Sequence, residues 1–470
     1  MTPLQLDGER GAMGNARDGA TAKGKRAQSA AAAQQRARFA EDTVEFMSHP
    51  CFRQLRSAAD VRILLFEDLD DFDLPEGYTK EEIWRILTAI RKQAAVMIPE
   101  DPERTADMWM VTTSALSFDA EMMEVRAKGD SSIGRGLREV QGSPFATRFL
   151  EETLFAGLAA EDIAVDPARI HELYSGEAPA TPLDRLVTNY FGLSSRCDAL
   201  AHREVTHGLI ETLYYDLIEG VDLAALPERH PVPLDPRLPP PESQVLMDLV
   251  CARVREGGDD VRFGPVLRLV NIMWFFRFFN VVPHLNVLVG LLLRNIIAIK
   301  WGLPVLAWLP DGSDPAEGED VVDAARQRAV FEHWSQDFGF GFDFTPYFEL
   351  NVKRYLHQLE RLAGALVYLE RLNSQVERLF APDINHRQKS ILSSLIREPE
   401  AVLRIAPHQR GFRIAYGTAR ADFLSLERQG YLVREQEGRA FVFRAHPNLR
   451  ERIDQLGAEL SAEASTAPLS

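Results

Sequence analysis

Cysteine is scarce in this chain: three in 470 residues, Cys51, Cys197 and Cys251, far apart and in no CxxC or Cys/His cluster. That spacing provides neither a disulfide framework nor a zinc site, and it suits a reducing cytoplasm. An apolar signal core is missing near Met1, so no secretion is expected, and no fixed-period repeat is visible. Long unbroken apolar runs are also absent. The most apolar stretch, Val281–Val305, contains Pro283, His284, Asn286, Arg294, Asn295 and Lys300. A membrane-spanning helix needs roughly 20 mostly apolar residues, and central charges are costly there. The stretch therefore predicts a buried core helix and no membrane partner. Positive charge is in deficit, with 53 Lys+Arg against 69 Asp+Glu and a net charge of -16. That balance argues against nonspecific adhesion of the whole molecule to nucleic acid or anionic membranes.

What is present is the composition of an ordinary soluble protein, 46% hydrophobic and 26% charged, long enough for two or three domains. Residues 1–40 read as a disordered arm poor in large apolar residues. Residues 41–145 are mixed and mostly helical. Thr79 is placed as an N-cap with Glu82 three residues on, "VRILLFEDLDDFDL" reads as a strand and an acidic loop, and the run Glu67–Asp73 as a solvated face. Residues 146–376 form the main helical domain. Thr147–Tyr215 holds two or three helices, and Leu217–Pro241 a proline-punctuated loop. Helices are then expected over Glu242–Arg255, Phe263–Phe279, Leu285–Trp301, Val321–Ser335 and Phe344–Val376. Trp274, Phe275, Phe276, Phe278 and Phe279 are expected in the core rather than in a ligand pocket.

After Pro382 the character changes. Between Arg387 and Arg452 there are 12 Arg and 1 Lys against 7 Asp/Glu, a local +6. The order is helix, loop, helix ("YGTARADFLSLERQGYL"), then alternating runs "YLVREQ" and "RAFVFRA". Two helices followed by a hairpin is a winged-helix layout, assigned to residues 383–455, with 456–470 as a disordered tail. The fold class is thus mainly α: a helical core followed by a small α+β domain.

Local matches in order point to a family. "PPPESQVLMDLVCARVREGGDDVRFGPVLRLVNIMWFFRFFN" and "GLLLRNIIAIKWGLP" (Gly290–Pro304) resemble the lead-in and active-site helix of the Fic (Fido) domain. Upstream, "EETLFAGLAAEDIAVDPARIHELYSGEAPATPLDRLVTNYFGL" is similar to that family's inhibitory segment. "FDFTPYFELNVKRYLHQLERL" resembles its closing helix. The resemblance implies a fold built for transferring AMP from ATP, with Mg²⁺, to a protein hydroxyl. Its motif reads H-P-F-x-D/E-G-N-G/K-R-x-G-R. In register on Gly290, this chain reads Asn280-Val281-Val282-Pro283-His284-Leu285-Asn286-Val287-Leu288-Val289-Gly290-Leu291.

The departures have physical consequences. Asn280 replaces the general base and cannot take a hydroxyl proton near neutral pH. His284 stands where a carboxylate would hold Mg²⁺, a hard cation that prefers oxygen. Leu285 and Val287 replace glycines, and their β-carbons disfavour the positive-φ geometry of an anion nest. Leu288 and Leu291 replace both arginines. Only Asn286 and Gly290 remain, and the two asparagines, Asn280 and Asn286, are read as caps of the next helix. His284 reads first as a capping or hydrogen-bonded histidine. The sequence thus predicts a pseudoenzyme with no cofactor. A divergent nucleotidyltransferase using ATP and Mg²⁺, with Arg277, His284 or Arg294 compensating, stays open.

In the inhibitory segment the motif glutamate falls on Glu161, whose arginine partner is now Leu291. A surface helix charge is the other reading of that residue. In the winged helix, Arg410, Arg413, Thr418 and Arg420 lie in or just before a recognition helix at about Tyr416–Gln429. Arg439 lies at the wing tip. These residues point to double-stranded DNA, whereas Asp422 and Glu427 on the same helix argue against it. Winged helices also make protein contacts, so a protein partner or a homodimer is equally expected.

Overall fold

The computed structural model describes residues 38–61, 64–97, 108–141, 144–227, 242–255, 263–310, 342–379, 384–398, 400–437, 440–449 and 451. Residues 228–241 of the proline loop, the helix expected at Val321–Ser335 and Arg439 lie outside them, whereas the start of that loop is described, with helix to Ile218 and a 3-10 turn at Leu223–Ala225.

Helices dominate. In chain order they are α1 (Pro50–Val61), α2 (Lys80–Gln93), α3 (Ser114–Ala127), α4 (Ser132–Val140), α5 (Pro144–Ala160), α6 (Pro167–Tyr174), α7 (Pro182–Ser194), α8 (Cys197–Leu200) and α9 (His207–Ile218). There follow α10 (Ser243–Arg255), α11 (Pro265–Phe278), α12 (Asn286–Lys300), α13 (Thr345–Leu379), α14 (His386–Arg397), α15 (Ile405–Gly411) and α16 (Tyr416–Arg428). None is long and apolar enough to cross a membrane among the described residues. Thr147–Tyr215 therefore carries more helices than the two or three expected. Caps explain the extra breaks: Asp166, Thr181 and Thr206 each accept a backbone N–H at a helix start. The Thr79–Glu82 capping box of α2 is present as read.

Three apolar clusters form. Phe46, Leu55, Leu69, Trp84 and their neighbours make one. The central cluster runs from Met110 to Leu369, so α3 and α4 pack mainly with the main core, with a smaller contact of α3 on α1. The third cluster belongs to the C-terminal module. "VRILLFEDLDDFDL" shows no strand in its described residues. Glu67–Asp71 is a 3-10 turn in which buried Asp68 accepts the Leu65 N–H at 2.7 Å, so the acidic run is only partly solvated.

A small sheet was not anticipated. β1 (Val96–Met97) pairs antiparallel with β2 (Met108–Met110), which pairs parallel with β3 (Phe342–Asp343). It ties the first two clusters to the start of α13: Arg91 pairs with Asp343 at 3.0 Å, and Asp343 accepts from the Thr345 hydroxyl at 2.6 Å.

α12 is the axle of the central core. All its residues from Asn286 to Ala298 are buried, and it packs against α11, α5, α8 and α9. Burying each of its Leu and Ile side chains is worth about 1.5–3 kcal/mol. Trp274, Phe275 and Phe276 of α11 are nearly inaccessible, as their core assignment required. α12 stops in a Schellman-type turn. Gly302 has φ +76, its N–H reaches Ile299, and the Leu303 N–H reaches Ala298 at 2.8 Å. Gly302-Leu303-Pro304 is therefore a helix stop.

The C-terminal module comprises α14, β4 (Leu403–Arg404), α15, α16, β5 (Leu432–Glu437) and β6 (Ala440–Ala445). Its sheet order is β4-β6-β5, antiparallel throughout. α15 occupies what was expected to be loop.

Candidate functional site

The loop between α11 and α12 is fixed by one side chain. Asn286, at the first turn of α12 and 1% exposed, accepts the Val282 N–H at 2.9 Å and donates to the Val282 carbonyl at 2.8 Å. It does not cap the helix, nor does half-buried Asn280. The N-cap is Leu285, with φ 57 and ψ 37 and no side-chain bond to the helix. The sequence argument that a β-carbon at this position opposes positive φ is therefore corrected: Leu285 adopts it. The cost of about 1–2 kcal/mol is offset by burial of Leu285 and by the double bond of Asn286 to Val282. Val287 lies within the helix.

The missing cap comes from another helix. Glu161, just past the end of α5 and 7% exposed, accepts the backbone N–H of Val287. A carboxylate at this spot satisfies an otherwise orphaned donor and complements the positive end of the helix. Glu161 is thus no surface charge. One turn before it, Gly157 lets α5 and α12 meet. A Cβ there would stand 2.7 Å from both Leu288 and Leu291. On the opposite side Gly290 faces Phe276, whose Cβ lies 2.7 Å from an ideal Cβ at position 290. Both ends of this contact are steric, with no chemistry in them.

His284 is half-buried and its Nδ1 lies 3.2 Å from the Tyr214 hydroxyl. Arg294 is fully buried. Its Nη2 donates to the Leu309 carbonyl at 2.6 Å and its Nε and Nη2 face the Asn295 side-chain Oδ1, while Nη1 has no partner among the described residues. It points into the core, away from any substrate on the loop. Among the described residues no three His, Cys, Asp or Glu side chains converge to hold a metal.

The C-terminal module has a polar centre. Asp422, 4% exposed, takes Arg387 Nε at 2.7 Å and Nη2 at 3.0 Å, His408 Nε2 at 3.1 Å and Asn385 Nδ2 at 3.1 Å. Burial would raise this carboxyl, but Arg387, His408 and Asn385 outweigh it and hold it below its usual value. Burial pushes His408 down, against the pull of Asp422. Asp422 thus joins α14, α15 and α16 internally and does not face a ligand. Glu427 pairs with Arg434 at 3.3 Å. The acidic residues counted against DNA contact are both engaged inside the module.

The arginines divide. Thr418 and Arg420 are exposed on α16, and Arg420 has no carboxylate partner among the described residues. Arg410 instead donates to the carbonyls of Leu173 and Tyr174 at the end of α6, and Arg413 pairs with Asp198 at 2.7 Å. Arg404, Arg434 and Arg444 pair with Glu437, Glu427 and Glu435, so much of the local positive charge is neutralised within the module.

No known family profile matches the chain, and no curated protein matches it. A solved structure that does match is the crystal structure of a Fic family protein from Desulfovibrio desulfuricans G20. It is 15% identical over 71% of this chain and 95% of its own, with a TM-score of 0.40. At that level of likeness, function has to be argued from the local geometry.

Proposed function

We propose that this chain is a Fic-like helical module without AMP-transfer chemistry, serving as a binding or regulatory platform for a C-terminal winged helix. The observation that carries it is the Glu161–Val287 contact. In the resembled family the phosphates of a nucleotide are cradled at this helix N-terminus, as anions are at helix starts generally. Here the chain's own carboxylate takes the backbone donor. Leu288 and Leu291 fill the places of the phosphate-neutralising arginines by packing on Gly157. Losing a base or one charge-stabilising donor costs about two to four orders of magnitude in rate, and several are replaced together.

The winged helix presents Thr418 and Arg420 on an open helix face, which suits double-stranded DNA in the first instance. The first experiment incubates the full chain with Mg²⁺ and ATP labelled on its α-phosphate. The expected result is no label on the chain or on lysate proteins. Transfer that disappears in His284→Ala would replace this reading with a divergent transferase. Salt-dependent duplex binding weakened by Arg420→Ala supports the DNA role; binding indifferent to Arg420 moves the role to a protein partner.

A further inference from the structure

A deep cleft lies between the helical core and the C-terminal module. It is a cavity of about 910 Å³, walled by α4, α5, α7, the stretch from Leu173 to Pro179, the 3-10 turn Pro304–Trp308 and the Arg410–Arg413 turn. Cavities of about 300–1,000 Å³ are the size of small-molecule sites. This one stands apart from the α12 N-terminus, where the nucleotide reading applies.

Its charged lining is mixed, with Arg138, Arg410 and Arg413 beside Glu177 and Asp198, and both carboxylates are already paired, with Arg169 and Arg413. Arg410 and Arg413 enter from the C-terminal module, and each uses only Nη1 for its contacts with the core. The Nε and Nη2 edges of both guanidinium groups remain for another acceptor. Arg410 is met by neutral carbonyls rather than a carboxylate. Gly176 lets this happen: with φ +107, a Cβ there would stand 3.1 Å from Arg410 Nη2. Across the cavity Phe191, Ile299 and Trp308 supply apolar walls.

We propose that this cavity binds a small organic anion with an apolar body. Arg410 and Arg413 hold its acid group, and Phe191 and Trp308 pack against its body. Because the arginines belong to the C-terminal module and the apolar wall to the core, such a ligand bridges the two and strengthens their docking. The proposal is independent of whether the α12 site is catalytic.

Two fluorescent probes of one shape test it on the full chain. 1-Anilinonaphthalene-8-sulfonate carries an acid group and N-phenyl-1-naphthylamine does not. The expected result is saturable, one-to-one binding of the sulfonate, about tenfold tighter than the neutral probe, the size of one charge-assisted hydrogen bond. Arg410→Gln plus Arg413→Gln should remove that difference and leave neutral-probe binding intact. Gly192→Phe is the blocking variant. Gly192 lines the cavity on α7, and a Cβ there meets nothing within 4 Å, so the variant is expected to keep the parent's circular dichroism spectrum. It should abolish binding of both probes. Non-saturable binding, equal affinity for the two probes, or binding unchanged in Gly192→Phe would each overturn the proposal.

Discussion

The carboxylate of Glu161 accepts the backbone N–H of Val287, joining residues 126 positions apart in sequence. The contact caps α12 with a carboxylate from another helix. Glu161→Ala is expected to destabilise the fold by about 1–3 kcal/mol, since it leaves a buried donor unpaired. Glu161→Gln keeps an acceptor and should lose less. Urea denaturation of both variants checks the order, and an alanine variant as stable as the parent would contradict it.

Gly290 is kept for space. Its neighbour Phe276 leaves no room for a Cβ, with Cβ and Cγ at 2.7 and 2.9 Å. Gly290→Ala should cost about 1–3 kcal/mol by overpacking. Gly364 on α13 is the control, because a Cβ there meets nothing within 4 Å. Gly364→Ala should be stabilising by about 0.5–1 kcal/mol from helix propensity alone. Thermal unfolding of the pair reads both signs.

The Asp422 centre makes the C-terminal module sensitive to acid. His408 is depressed below its ordinary 6.5 in the folded state, so the unfolded chain binds more protons there. Stability is full above 6.5 and falls as pH drops through the depressed value. A second loss follows below 3.8, where unfolded Asp422 protonates before its folded counterpart does. Amide exchange on α16 should therefore accelerate on acidification, relative to the central core. Asp422→Asn should lower the module's stability by about 1.5–3 kcal/mol, the range for hydrogen bonds to a charged group. A ratio of α16 to central-core protection that does not change with pH, once the intrinsic pH dependence of amide exchange is divided out, would contradict this.

All three cysteines are buried. Burial raises each thiol, and Cys197 is pushed up to about 12. Thiolate is the reactive form, so a thiol reagent at mildly alkaline pH should label the native chain slowly and all three sites rapidly in guanidinium. Fast labelling of the native protein would show that these sites open.

Local pattern carried the helical elements well. The Thr79 box, the apolar faces of α11 and α12, and the helix–hairpin order after Pro382 are all written in short-range spacing. What escaped is long-range. Nothing near Glu161 in sequence indicates that its partner is Val287, and nothing near Arg410 indicates the α6 carbonyls. Likewise, Asp422 on an exposed-looking helix reads as a surface acid until Arg387 and His408 are brought around it. Leu285 shows the limit of a propensity argument, since buried neighbours hold it in a conformation its β-carbon resists. Two-residue strands such as β1 and β3 are too short to show any alternation.

Thermal unfolding with and without ATP and Mg²⁺ tests the proposal that no nucleotide binds at the α12 N-terminus. A ligand at a hundredfold excess over its Kd stabilises the native state by about 2.7 kcal/mol. No shift in Tm is expected for the parent chain. A saturable upward shift that is lost when Val287→Pro removes the N–H facing Glu161 would contradict the claim.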